Sequence, residues 1–199
     1  HAKYQRLLED YQDLYEIGLH GPDILFFYHP IIRHPITQIG VVIHHETGRV
    51  FFEHALTQMH RSAAEGDKMQ KALWAYALGV VCHFALDASC HTYINHFEKT
   101  RRISHHEIEK EFEKYLMKKD GIQPFLYPLW RHIRWDNQTL QAVYGVYRHF
   151  DLTPRDVKKS LQSMAFYKWL VTTGKTLRRL ILRSLMLLSL HYRKLEGHM

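Results

Sequence analysis

Hydrophobic positions recur every three or four residues along nearly the whole chain, the spacing of helices that each bury one face. Residues 2–18 mix apolar and charged positions at that spacing, which predicts an opening helix. Residues 19–37 break the pattern with three prolines and a glycine and read as a long ordered loop, of the kind that carries function inside compact domains. A short helix is predicted over 38–47, stopped by Gly48, and another over 50–64. A long one follows over 67–95, and its KALWAYALGVV stretch is apolar enough to be buried. Ser104 opens the capping box S-H-H-E, which starts a helix over 105–118 that closes near Gly121. Beyond Pro124 and Pro128, Asp136 or Asn137 can cap a helix running to 149. Thr153-Pro154 opens one over 154–172, and the last covers 175–195. No strand, repeat or low-complexity tract interrupts this order. The expected fold is all-α, a single multi-helix domain over residues 1–199.

Composition narrows the class. With 199 residues, 46% of them apolar, the chain can bury a real core. No run of about 18 apolar residues is present, so a membrane span is not expected. The opening HAKYQRLLED is polar and shows no leader, which makes a cytoplasmic setting the expectation. Residues preceding His1 would reopen a secreted or membrane-surface one. Cys82 and Cys90 lie eight residues apart on one predicted helix, too far along it to pair, which agrees with a reducing compartment. Charge is uneven. Residues 1–97 carry 7 Lys/Arg against 10 Asp/Glu, whereas residues 98–199 carry 20 against 10. Histidine is skewed the other way, with 13 of 17 before residue 107. A histidine-rich, mildly acidic part joined to a basic part suits a cation site beside an anion-attracting surface, and basic helices also keep a chain soluble.

The chemistry concentrates in CHFALDASCHTYI, where His83, Asp87 and His91 follow one another at four-residue spacing. On a helix those three share a face. Two imidazoles and a carboxylate emerging from an apolar wall each need a partner, and a divalent metal supplies one. His105 and Glu109 repeat the pattern on the next helix. Asp23 follows the tight turn Gly21-Pro22, the short helix adds His44 or His45, and His1 stands at the start. That gives seven or eight nitrogen and oxygen donors within 109 residues, a set that suits zinc and exceeds one tetrahedral ion. Two or three clustered ions would activate water for attack at phosphorus. His20, His29, His34, His54, His60 and His96 lack ligand spacing and read as surface or supporting residues. Phe26, Phe27, Tyr28, Trp74 and Tyr76 read as core packing, with an apolar substrate pocket as the other use.

Four stretches, GPDILFF (21–27), IGVVIHH (39–45), GVVCHFALDASCHTYI (79–94) and HHEIE (105–109), together resemble the bacterial zinc-dependent phospholipase C family, which shares its fold with single-strand-specific fungal zinc nucleases. The resemblance covers the chain to about residue 118, so the metal residues lie within 1–118 and a basic helical remainder fills 119–199. It implies an all-helical domain holding two to three zinc ions in a cleft. His44, His83 and Asp87 would hold one ion; His91, His105 and Glu109 a second. Asp87 would bridge to a third, together with His1. The tryptophan that completes that third site in the family has no counterpart here. Asp23 matches the family's aspartate beside the attacking water, a general base or water orienter.

The implied activity is phosphodiester hydrolysis by a metal-activated water, releasing diacylglycerol and a phosphorylated headgroup from a phospholipid. Two other readings stay open. One is a zinc phosphodiesterase or nuclease acting on nucleotides or single-stranded nucleic acid, for which the basic second half speaks. The other is a non-catalytic metal-binding protein of the same fold. The segment LRRLILRSLMLLSLHYRKL (177–195) reads as a core helix with emerging arginines, or as a membrane-surface contact.

Overall fold

In a computed structural model that describes residues 2–62, 66–101, 103–124, 126–172 and Leu180, every regular element is helical. The order is α1 (Ala2–Asp10), α2 (Gln12–Gly18), a 3₁₀ helix (Gly21–Phe27), α3 (Pro35–His45), α4 (Gly48–Arg61), α5 (Asp67–Arg101), α6 (His105–Lys119), α7 (Asn137–Tyr147) and α8 (Pro154–Val171). The expected all-α class holds among the described residues. The helix expected over 175–195 lies outside them.

α5 runs on to Arg101, past the expected end at 95, and three other boundaries differ from the sequence expectation for a visible reason. The opening helix kinks at Tyr11, whose backbone leaves helical geometry at φ −127° and ψ 36°. Its hydroxyl donates to Lys68 O at 3.3 Å, so a tertiary bond sets the kink. The loop expected over 19–37 contains the 3₁₀ helix, started by Pro22 in its first turn. α3 begins earlier than expected because His34 caps it: Nδ1 accepts from Ile36 N–H at 3.2 Å, with Pro35 in the first turn. Elsewhere the caps fall where the residue types put them. Ser104 Oγ accepts from Glu107 N–H, and Asp136 accepts from Thr139 N–H at 3.0 Å. Thr153 and Asp156 bond each other's backbone N–H groups.

The contacts divide the chain into two units, residues 1–86 with 131–165 and residues 87–130 with 166–199. The first holds the main core. α3 buries Ile36, Gly40 and Ile43; α4 buries Phe51, Ala55 and Met59. α7 buries Ala142, Val143, Val146 and Tyr147; α8 buries Val157, Leu161 and Met164. Each set keeps the i, i+3/i+4, i+7 rhythm of one helix face. From α5, Ala72, Leu73, Ala75, Tyr76 and Val80 enter the same core. Tyr76 donates to Tyr147 Oη at 3.2 Å, both fully buried. Burial, eased by that bond, pushes Tyr76 up; burial and then Tyr76 push Tyr147 well above the usual tyrosine range. Trp74, Phe27 and Tyr28 pack against this core, as core readings of them require.

α2 and α5 meet at two glycines. A Cβ on Gly18 would lie 2.2 Å from Tyr76 O, and one on Gly79 would lie 2.3 Å from Tyr15 O. The backbones therefore touch, and Leu19 is brought to the turn of α5 that carries His83. α5 has the length and apolarity to cross a membrane. Its 72–80 stretch, however, is packed into the core, and His83, Asp87 and His91 follow on the same helix.

In the second unit, Ile94 is buried and α6 ends at Lys119, with Gly121 just beyond it at φ +74°. Ile122 N–H there donates to Met117 O at 2.8 Å, closing the helix.

Candidate metal centres

Three elements of the first unit bring Asp23, His44 and His83 together, one ligand atom from each lying within 4.8 Å of the others. Asp23 comes from the 3₁₀ helix, which Gly21 enters at φ +50°, a conformation that disfavours any residue with a Cβ. The 3₁₀ turn closes when Asp23 N–H donates to His20 O at 3.1 Å. His44 stands in the last turn of α3, and His83 on α5.

Second contacts aim both imidazoles. His44 Nδ1–H donates to Gly40 O at 2.7 Å, one turn back. His44 Nε2 faces Asp23 Oδ1 at 3.1 Å. A neutral imidazole has one N–H, and here both nitrogens face oxygen acceptors; a cation at Nε2 resolves that conflict. His83 Nδ1–H donates to Leu19 O at 3.2 Å. Its Nε2 is buried and has no hydrogen-bond partner among the described residues. Leaving such an atom unpaired costs about 1–3 kcal/mol. A ligand for a divalent cation has this signature, with one nitrogen tied to a carbonyl and the other dry and waiting. The His44 and His83 rings stand edge to face at 5.8 Å. Phe26 stacks on His44 at 5.5 Å, giving the site an apolar side.

The second unit repeats the theme with His91, His105 and Glu109, again within 4.8 Å. The Ser104 cap makes His105 the first residue of α6, so Glu109 follows one turn later. His105 Nε2 lies 3.0 Å from Glu109 Oε1, and the His91 ring meets His105 edge-on at 5.1 Å. Asp87 lies 3.5 Å from His91 Nε2. The residues thus fit zinc in both groups, which are built from imidazole and carboxylate alone.

Of the residues singled out from sequence, Asp23 sits with His44 and His83, and Asp87 lies beside His91. His44 rather than His45 enters the group. His1 lies outside the described residues. Cys82 and Cys90 are free thiols, Cys82 Sγ lying 3.6 Å from Tyr15 Oη.

One supporting contact had no signal in sequence. His20 and His132 stack at 5.2 Å, their Nε2 atoms 2.9 Å apart, so one ring donates to the other. His132 Nδ1 faces Glu16 Oε2 at 3.8 Å. The pair ties the segment before α7 to the turn whose carbonyls serve His83 and Asp23. Its two halves lie 112 residues apart, so no local spacing could reveal it.

A family model described as zinc dependent phospholipase C matches residues 1–170, which takes in both groups. No curated protein and no solved structure matches.

Proposed function

The chain belongs to the zinc-dependent phospholipase C family, and from this premise we propose that it hydrolyses a phospholipid to diacylglycerol and a phosphorylated headgroup. The family supports a zinc phosphodiesterase-type function at the coarser level. The observation that carries the metal-dependent part of this reading is His83, whose dry, unpartnered Nε2 is grouped with His44 and Asp23; the lipid substrate rests on the family alone.

In this reading His44 and His83 hold one ion and His91, His105 and Glu109 a second, to which Asp87 beside His91 adds its carboxylate. Zinc bound there would supply Lewis acidity toward a phosphoryl oxygen and bring the pKa of a bound water to about 7. The chain's own groups do the rest. The carbonyls of Gly40 and Leu19 hold each imidazole in the tautomer that offers Nε2. Asp23, its side chain 45% exposed, keeps one oxygen toward His44 and the other available to orient water and accept its proton. Phe26 excludes solvent from one side of the His44 ring.

The test is zinc content by elemental analysis together with turnover of a chromogenic phosphodiester and of a phospholipid, in wild type, Asp23→Asn and Asp87→Asn. Zinc-dependent release of diacylglycerol is expected. Asp23→Asn should keep zinc and lose rate, and Asp87→Asn should lose both. A zinc-loaded wild type that turns over neither diester would sink the hydrolase reading, and a zinc-free Asp23→Asn would make Asp23 a ligand instead of a base.

A further inference from the structure

Among the described residues, the two most exposed large apolar side chains are neighbours: Ile31 at 83% and Ile32 at 66%. They sit with Pro30 and Arg33 at the tip of the segment joining the 3₁₀ helix of Asp23 to α3, the helix of His44. Two adjacent isoleucines held in water are unfavourable unless something covers them.

The segment is braced for presentation. Tyr28 packs against His34 at 4.5 Å, and His29 against His34 at 5.2 Å. Lys159 Nζ donates to His29 Nε2 at 2.8 Å and lies 4.3 Å over the Tyr28 ring. Ile32 N–H donates to His29 O at 3.3 Å. Burial, then Lys159 and then His34, push His29 down from the ordinary histidine value, so the local cation is the lysine. Among the described residues, Lys159, Arg33 and Asp156 are charged groups within or against this loop. The last is occupied by Thr153 and Tyr28, whereas Arg33 reaches Gln38 with one Nη only. An apolar tip with the cations Arg33 and Lys159 close by in the same loop and its brace matches the boundary of a bilayer, with acyl chains beneath anionic headgroups.

We infer that the 28–34 loop docks the protein on an anionic phospholipid surface by inserting Ile31 and Ile32 between headgroups that Arg33 and Lys159 contact. This rests on the phospholipid reading above and gives it a route, because the docked segment leads directly into both helices that carry Asp23 and His44.

The experiment is sedimentation of the full chain with sucrose-loaded vesicles, of phosphatidylcholine alone and with added phosphatidylserine. Ile31→Ser with Ile32→Ser should lower partitioning about tenfold or more. Arg33→Glu should weaken binding only where phosphatidylserine is present. Zinc content and turnover of a water-soluble diester should match wild type in every variant, since none of these residues touches the metal groups. Equal sedimentation of wild type and the double serine variant would overturn the proposal. So would a wild-type dimer that the serines dissolve while no vesicle is bound, which would make the tip a self-contact. Vesicle binding that depends on the isoleucines in a protein without diester turnover would uphold docking and remove the hydrolase reading alone.

Discussion

Replacing Gly21 by alanine should remove His83 from its group. Two costs add. At φ +50° an alanine carries strain of about 1–2 kcal/mol. Its Cβ would also stand 2.3 Å from His83 Cδ2 and 2.8 Å from Nε2. Ordinary contact begins near 3.4 Å, so ring or turn must yield by about 1 Å. Such overpacking costs about 1–3 kcal/mol, for a total of about 2–5 kcal/mol. Metal ligands tolerate only about 0.2 Å of displacement, so zinc affinity at this group should fall about 100-fold or more. The zinc held by His91, His105 and Glu109 should stay. Chelator competition reads the affinity, and urea unfolding of the zinc-free protein reads the stability. Gly121→Ala is the control: φ is +74° and nothing lies within 4 Å of its Cβ, so it carries strain without collision. It should lose about 1–2 kcal/mol and no zinc affinity. If Gly21→Ala binds zinc as tightly as that control, the close packing of turn on imidazole does not position His83, and the argument fails.

Three further outcomes are expected. His132→Ala unties His20 and should weaken zinc at the Asp23 group about tenfold, with partial recovery in His132→Gln; equal affinity in all three proteins would deny His132 a positioning role. Asp136→Ala removes the bonds to Thr139 N–H and Oγ1 and should cost about 1–2 kcal/mol by urea unfolding, and a loss of only a few tenths would mean water caps α7 as well. Burial, then His54 stacked at 4.2 Å, lower the His149 pKa, so the unfolded chain takes up that proton first. His149 therefore contributes stability above the ordinary histidine range near 6.5 that is lost as pH falls below it. Melting temperatures of wild type and His149→Gln should converge as pH drops from about 7 to 5, and parallel curves would exclude the effect.

The helices and five of the seven or eight donors were legible because both follow local periodicity. His83, Asp87 and His91 show themselves by four-residue steps, and His105 with Glu109 by the same step behind a serine cap. Spacing alone did not show their grouping; it came only from the family resemblance, which implied His91 with His105 and Glu109 and His44 with His83. Asp23 meets His44 through a 3₁₀ helix and a capped α3, and the sequence alone displays a turn, a loop and a short helix there without showing that the two side chains meet. His34 hid as a cap because histidine is a rare one. His20 with His132 depends on a tertiary approach that no window of sequence contains.

The contact of α2 with α5 has an evolutionary corollary. Usually a bulkier side chain on one helix can be matched by a smaller one opposite, so facing positions vary in concert. At Gly18 and Gly79 the obstacle is Tyr76 O and Tyr15 O, parts of the main chain that no substitution can trim. Neither position has a compensating partner. Among descendants that keep Leu19 against His83, both should stay glycine independently, and a search for correlated replacement would find no signal at the very contact that seats the ligand.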